Sequence, residues 1–351
     1  MKHINSFCMS SYLAFRYVPK KGYEWLPGVR PEFPQCLDID QVLVESPDEI
    51  LLTLKTIIND IQDIETTAIF LSGGIDSAIL AALLPKGTHA YTIDFESKSS
   101  IKESEYAALY VNINELNHHI VTVSWDDYIK YETLLMKYKK SPLHAVEVAL
   151  YKASKIAMND GIKSIILGNG ADSTFGGLDK LLSCDWKFED FVNRYTFINP
   201  ATVLKTPTNI RSVYEPFRNG DKINFIKFLK QIHGGGIIQA FNNSLNTAGI
   251  SAIEPYEKLQ LKNKLDLIRI RQGEPKYLLV DVFKSLYPNV PVPKKIPFAR
   301  PMDEWLLDYE GPISNVFRDD ININLFTGEQ KYLLHCLDKF VNLLERTILW
   351  T

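Results

Sequence analysis

Cysteine is scarce in this chain: four in 351 residues, Cys8, Cys36, Cys184 and Cys336, scattered without pairwise spacing. That argues against a disulfide-stapled scaffold or a zinc site, and for a reducing compartment. Long apolar runs are absent too. None reaches the roughly 18 residues needed to span a bilayer, and the stretch from Met1 to Met9 has too little apolar character for a signal peptide. A cytoplasmic protein without a membrane partner is expected. Neither sign of charge is in excess. The formal net charge is −3, so there is no global basic field for nucleic acid. The small basic run Lys137-Tyr-Lys-Lys140 reads as a solvated face. His118 and His119 are neighbours that point to opposite sides of a strand, and read as structural. What is plentiful is hydrophobic residues, at 46%, enough to bury a full core; the length allows two or three domains.

The chain is organised around Thr67-Ala-Ile-Phe-Leu-Ser-Gly-Gly-Ile-Asp-Ser77 and the apolar helical spacing that follows it. Ala68 to Leu71 is a short apolar run that reads as a buried strand. Ser72-Gly73-Gly74 is a turn, and a helix follows from Asp76 to the breaker Pro85-Lys-Gly87. A strand feeding a helix through Ser-Gly-Gly aims free backbone N–H groups at one spot, an anion-binding arrangement. Ser72 and Ser77 add hydroxyl donors. Asp76 would repel a phosphate unless a cation stood between them, which suggests Mg²⁺ on a polyphosphate. There is no Gly-Lys-Ser/Thr, so this is not a Walker loop.

Residues 1–50 are rich in aromatics and prolines and read as an irregular or β-like segment. Ser46-Pro-Asp-Glu49 is a helix start, with the helix running to about residue 60. Strands are predicted at 90–95, 118–123 and 164–167, and helices at 103–111 and 144–158. Alternation of this kind means an α/β fold with a doubly wound parallel sheet. The strand ending at Leu167 runs into Gly168-Asn-Gly-Ala-Asp-Ser-Thr-Phe-Gly-Gly177, a second glycine-rich turn with a carboxylate inside it. Two such turns on one parallel sheet put Asp76 and Asp172 near a common edge, where they can share Mg²⁺ on a leaving pyrophosphate. From about residue 181 the rhythm is lost and 181–351 reads as mostly helical, with helices at 222–232, 236–245, 276–286 and 328–349. Gly234-Gly-Gly236 reads as a hinge or a close-packing turn.

The two turns and their spacing resemble the synthetase domain of the asparagine synthetase family, a group that includes β-lactam synthetases and lasso-peptide cyclases. Ser72-Gly-Gly-Ile-Asp-Ser77 is similar to the pyrophosphate loop of the N-type ATP pyrophosphatases. Further matches are Glu103-Ser-Glu-Tyr-Ala107, Lys276-Tyr-Leu-Leu279, Lys295-Ile-Pro-Phe298 and Pro301-Met-Asp-Glu-Trp-Leu306. The resemblance covers roughly residues 50–350, so 51–351 is expected to form one synthetase-like domain of the adenine nucleotide alpha hydrolase-like fold. Tyr12-Leu-Ala-Phe-Arg-Tyr-Val-Pro19 resembles the segment that precedes it in full-length members.

The resemblance implies an ATP-dependent amide ligase with ATP and Mg²⁺ as cofactors. A carboxylate would be adenylated and the acyl group passed to ammonia or an amine. By the same resemblance Leu71 and Ile93 contact adenine through the backbone, Gly168 faces the ribose with Gly170 beside it, and Lys295 stabilises charge in both steps. Arg300 is a further candidate for a substrate carboxylate. Residue 2 is Lys where the family's glutaminase half begins with a nucleophilic Cys, so ammonia is expected free, as an amine substrate, or from a separate glutaminase. Asn169 stands where the family has Glu or Tyr and cannot act as a base near neutral pH. Ile253-Glu-Pro-Tyr-Glu-Lys258 departs from the family's Arg-x-Pro-Phe-Leu-Asp, which speaks against aspartate as substrate. Two other readings stay open. One is a pyrophosphate-loop adenylase acting on tRNA; the other is a non-enzymatic nucleotide-binding relative.

Overall fold

The structure is a computed structural model and describes residues 4–33, 40–98, 100–295, 298 and 300–346. Pro34, Cys36, Ile296, Pro297 and the predicted helix end at 347–349 lie outside the described residues. Its centre is a parallel sheet of five strands. In chain order the elements up to the second glycine-rich turn are α1 (Ser6–Phe15), β1 (Val42–Val44), α2 (Pro47–Asn59), β2 (Thr67–Phe70), α3 (Ile75–Ala81), β3 (His89–Phe95), α4 (Glu103–Asn114), β4 (Asn117–Val123), α5 (Trp125–Lys139), α6 (Glu147–Asn159), β5 (Ser164–Ile166) and α7 (Ala171–Phe175). Beyond them come the short hairpin strands β6 (Arg218–Asn219) and β7 (Lys222–Ile223), then β8 (Ser251–Ile253) and β9 (Leu259–Leu261). The sheet order is β4-β3-β2-β5-β8, parallel throughout.

Side-chain alternation shows why helices cover both faces. Ala68 and Ile165 point into one apolar cluster, while their chain neighbours Ile69 and Ile166 point into the other. The first cluster takes α1, α5, α6 and the helices Gly234–Ala248 and Gly328–Glu345. The second takes α2, α3, α4 and the helix Tyr277–Leu286. This is the expected α/β, doubly wound arrangement. Among the described residues no helix is long and apolar enough to cross a membrane.

Four local expectations need correcting. The segment read as irregular contains α1, capped by Asn5 Oδ1 accepting from the N–H of Phe7 at 2.9 Å. Every residue from Phe7 to Phe15 is buried, so no polar face marks it as a helix in the sequence. A fifth strand, β8, lies inside the stretch read as mostly helical; three residues are too few to show a period. The five buried positions of α5 include Glu132 and Lys139, which hide its stripe. Lys139 is therefore no solvated residue: it is 1% exposed and pairs with Glu147 at 2.5 Å. Finally, Gly234-Gly-Gly236 opens a continuous helix and is no hinge; it serves close packing, since a Cβ on Gly236 would stand 2.9 Å from the Tyr17 ring. His118 and His119 make the structural contacts expected of them, with Thr92 Oγ1 at 2.9 Å and with the rings of His89 and Tyr91.

Candidate functional site

β2 and β5 are neighbours in register, Ala68 opposite Ile165 and Ile69 opposite Ile166. The two glycine-rich turns therefore leave the sheet side by side at its C-terminal edge, where open α/β sheets bind ligands. Gly168 lies against the start of α3: a Cβ there would be 3.4 Å from that of Asp76. The turns border a cavity of about 750 Å³ whose lining includes Ser72, Gly74, Asp76, Asp172, Lys276 and Lys295.

The first turn is held by its own groups. Ser77 Oγ accepts from the N–H of Ser72 at 3.1 Å and lies 3.0 Å from Ser72 Oγ, which in turn accepts from the N–H of Gly74 at 3.2 Å. The N–H of Gly73 donates to Glu103 Oε2 at 2.9 Å. Of the loop amides expected to be free, that of Gly73 is taken by a carboxylate of the protein itself, and the Ser72 and Ser77 hydroxyls bond to each other. Burial pushes the Glu103 carboxyl up, with Asp94 adding to it, while the Gly73 N–H pulls it down. Gly73 is needed for this approach, since a Cβ would come within 2.4 Å of Tyr106 Cβ.

Asp76 and Asp172 do converge, and a lysine stands between them. Lys276 Nζ is 2.5 Å from Asp76 Oδ2 and 2.6 Å from Asp172 Oδ1. Lys295 Nζ lies 3.1 Å from Asp172 and donates to the carbonyl of Gly177 at 2.8 Å. The two acids respond in opposite directions. Burial lifts the Asp76 carboxyl, Asp172 adds to that, and Lys276 opposes it. Burial also penalises Asp172, but Lys276 and Lys295 together outweigh it and hold that carboxyl below the ordinary range. The difference follows from the partners: Asp172 is hydrogen-bonded by both lysines, whereas Asp76 is bonded by Lys276 and opposed by the charge of Asp172. Gly177 makes room for the cluster; a Cβ there would overlap both the Asp172 carboxylate and the Lys276 chain.

Asp76 Oδ1 is buried and has no hydrogen-bond partner. No cluster of three or more His, Cys, Asp or Glu able to hold a metal occurs among the described residues. Two carboxylates, one with a vacant oxygen, suit Mg²⁺, which is commonly held by one or two carboxylates together with substrate phosphates and water. The donor set fits that ion better than a metal that demands a full protein cage.

The remaining predicted residues are placed as follows. Leu71 donates its N–H to the carbonyl of Tyr91 at 3.0 Å and accepts from Thr92 Oγ1 at 2.8 Å, so its backbone is already engaged in the sheet. Ile93 sits in β3 opposite Val121. Gly170 has φ 89°, and a Cβ would meet Glu257 Oε1 at 2.8 Å, so both conformation and space require glycine. Asn169 donates its amide to Glu254 Oε1 at 2.9 Å; burial lifts the Glu254 carboxyl and the Asn169 bond lowers it. Arg300 does not present a free guanidinium: it pairs with Glu329 at 2.6 Å. Sequence reasoning assigned no role to Glu103, Lys276 or Glu254. The first two lie in segments whose resemblance was visible, but their partners are 30 and 200 residues away.

Residues 61–228 match the family model described as asparagine synthase, just under half of the chain. The chain is 24% identical over 125 residues to a provisionally named glutamine-hydrolysing asparagine synthetase 1 of Methanocaldococcus jannaschii, covering 35% of this chain and 23% of that one. It is 27% identical over 130 residues to the amidase chry2 of Gibberella zeae, covering 32% of this chain and 19% of the other. The matches thus span about a quarter or less of these relatives. Both glycine-rich turns fall inside the matched segment, and Lys276 and Lys295 fall beyond it. Over residues 61–228 the chain is therefore similar to the asparagine synthase family model.

Proposed function

We propose that this protein is an ATP-dependent amide-bond-forming ligase that adenylates a carboxylate and passes the acyl group to ammonia or an amine. One observation carries the reading: Asp76, Asp172, Lys276 and Lys295 converge at the C-terminal edge of a parallel sheet, around a cavity large enough for a nucleotide. A carboxylate oxygen would attack the α-phosphorus, the bond to the β-phosphate oxygen would break, and pyrophosphate would leave. Asp76 and Asp172 would hold the magnesium ion that neutralises charge on that leaving group. Lys295, a mobile point charge on an exposed chain, is suited to follow charge from the phosphorus centre to the later oxyanion. In the second step a neutral nitrogen forms the C–N bond, the C–O bond to AMP breaks, and one proton leaves the nitrogen. Asn169 cannot take that proton, but it brings a carboxylate, Glu254, to the second turn.

Exchange of labelled pyrophosphate into ATP across a panel of carboxylates, with Mg²⁺, tests this directly. Lys295→Ala should slow exchange on the order of 10²–10³-fold with ATP affinity little changed. A variant altered only in ATP affinity would remove Lys295 from the chemistry. The seating of Glu103 on the Gly73 N–H favours a second reading, a nucleotide-binding relative without chemistry; ATP binding with no exchange for any acid would support that instead.

A further inference from the structure

Two acids and two lysines make up the cluster between the glycine-rich turns, and their formal charges cancel. Lys276 is the buried lysine. It stands just before the helix Tyr277–Leu286 with a left-handed backbone, φ 54°, a conformation that costs any residue with a Cβ. From there its side chain runs past Gly177, where a Cβ would overlap Lys276 Cε, and reaches both acids.

The ammonium closes Asp76 on one side and burial closes the other. Lys276 Nζ donates to Asp76 Oδ2 at 2.5 Å, while Asp76 Oδ1 is shut away from water. On Asp172, Lys276 and Lys295 meet the same oxygen, Oδ1, at 2.6 Å and 3.1 Å. A magnesium ion needs carboxylate oxygens at about 2.0–2.1 Å and keeps several of its waters. An oxygen that water cannot touch is closed to such an ion. Placing the ion beside Lys276 would also set a double positive charge close to an ammonium, in a cluster whose formal charge is already zero. Lys276 and a divalent cation therefore cannot both stand between Asp76 and Asp172. What could draw the lysine away belongs in the adjoining cavity, which Lys276 lines with Ser72, Gly74 and Lys295. A triphosphate there carries more negative charge than one divalent cation neutralises.

We infer that the Lys276 ammonium and the divalent cation are alternative occupants of one place between Asp76 and Asp172, and that nucleotide phosphates decide between them by drawing Lys276 into the cavity as the ion enters. The ion then binds together with the nucleotide and not before it. The inference rests on the ATP reading for the nucleotide, while the competition between ammonium and ion stands on the four side chains alone. Lys276 is in this role a positioning residue that sets the order of binding.

The test uses Mn²⁺, a hard ion that takes the same oxygen ligands, followed by its electron paramagnetic resonance. Without nucleotide, wild-type protein should bind no more Mn²⁺ than Asp76→Asn does. Lys276→Met should bind one ion on the order of 10- to 100-fold more tightly than wild type, and Asp76→Asn with Lys276→Met should lose it again. Stability gives a second readout: Mg²⁺ alone should raise the melting midpoint of Lys276→Met by about 2–4 °C, because the ion replaces the missing ammonium, and leave wild type where it is. In wild type, Mg²⁺ should tighten a non-hydrolysable ATP analogue on the order of 10-fold or more, measured by calorimetry, and should not do so in Asp76→Asn. An ion bound through Asp76 in wild type without nucleotide would overturn the inference, a comparison that does not need Lys276→Met to fold. So would a Lys276→Met protein that gains no ion, or Mg²⁺ stabilising it and wild type equally. If the analogue does not bind wild type at all, the ATP reading fails by itself, and the Lys276→Met titration, which contains no nucleotide, still decides between the two occupants.

Discussion

Replacing Lys276 by methionine removes a charge from between two carboxylates and little else. Methionine matches the lysine chain up to Cε and keeps the Cβ, so the demand on the left-handed backbone at φ 54° is unchanged. The two arms of the lysine are not equivalent. Lys276 is 9% exposed and Asp76 23%, so that arm behaves as a buried pair. The Asp172 side chain is 41% exposed and keeps Lys295 at 3.1 Å, so water and Lys295 take up the other arm. Breaking a fully buried pair costs about 3–5 kcal/mol, and one buried arm beside one solvated arm points to the low end, about 3 kcal/mol near pH 7. The pH dependence follows from Asp76. Its carboxyl is already lifted by burial and by Asp172, and losing Lys276 lifts it further. A raised acid contributes stability that is present below its unfolded pKa and lost as pH rises through its folded one. The deficit of Lys276→Met should therefore be small near pH 4, grow as pH rises through the lifted pKa of Asp76, and be full near pH 7. The double variant Asp76→Asn with Lys276→Met should recover most of it, because no buried charge is then left alone. Urea unfolding at the two pH values, without Mg²⁺, measures all three proteins. A loss below about 1 kcal/mol at neutral pH, a loss independent of pH, or a double variant no better than the single would refute the reasoning.

Two more outcomes can be checked on the same footing. Gly73→Ala should destabilise the protein by about 1–3 kcal/mol and weaken ATP binding, because the new Cβ meets the Cβ of Tyr106, which no rotamer can move; an unchanged melting midpoint would contradict the tight approach. Glu257 is pushed up to about 7, mainly by burial and then by Glu254, so its charge opposes folding as pH rises through that value. Glu257→Gln should accordingly gain stability over wild type at pH 8 and little or none at pH 5, read by thermal unfolding; the same difference at both would show that the carboxyl ionises freely.

The sequence by itself determined the parts whose causes are local. The alternation of short apolar runs with helical stripes specified a doubly wound parallel sheet, and the two glycine-rich turns specified which edge of it carries the candidate site. Asp76 and Asp172 could be placed together because both turns follow strands, and neighbouring parallel strands deliver their ends to one side. α1, β8 and α5 escaped notice because burial all round, a length of three residues and two buried charges each erase the period that marks an element. Only the tertiary structure decided how the charges are paired. Nothing near Lys276 in the chain indicates that it bridges two acids, and nothing near Glu103 that it caps Gly73. Arg16 and Arg300 look alike in the sequence, yet packing pairs Arg300 with a carboxylate and leaves Arg16 over the Phe197 ring without an ion-pair partner among the described residues. Periodicity and turn chemistry are short-range and written residue by residue. The partner of a buried charge is chosen by which helices meet across the core, and that is settled only when the whole chain has folded.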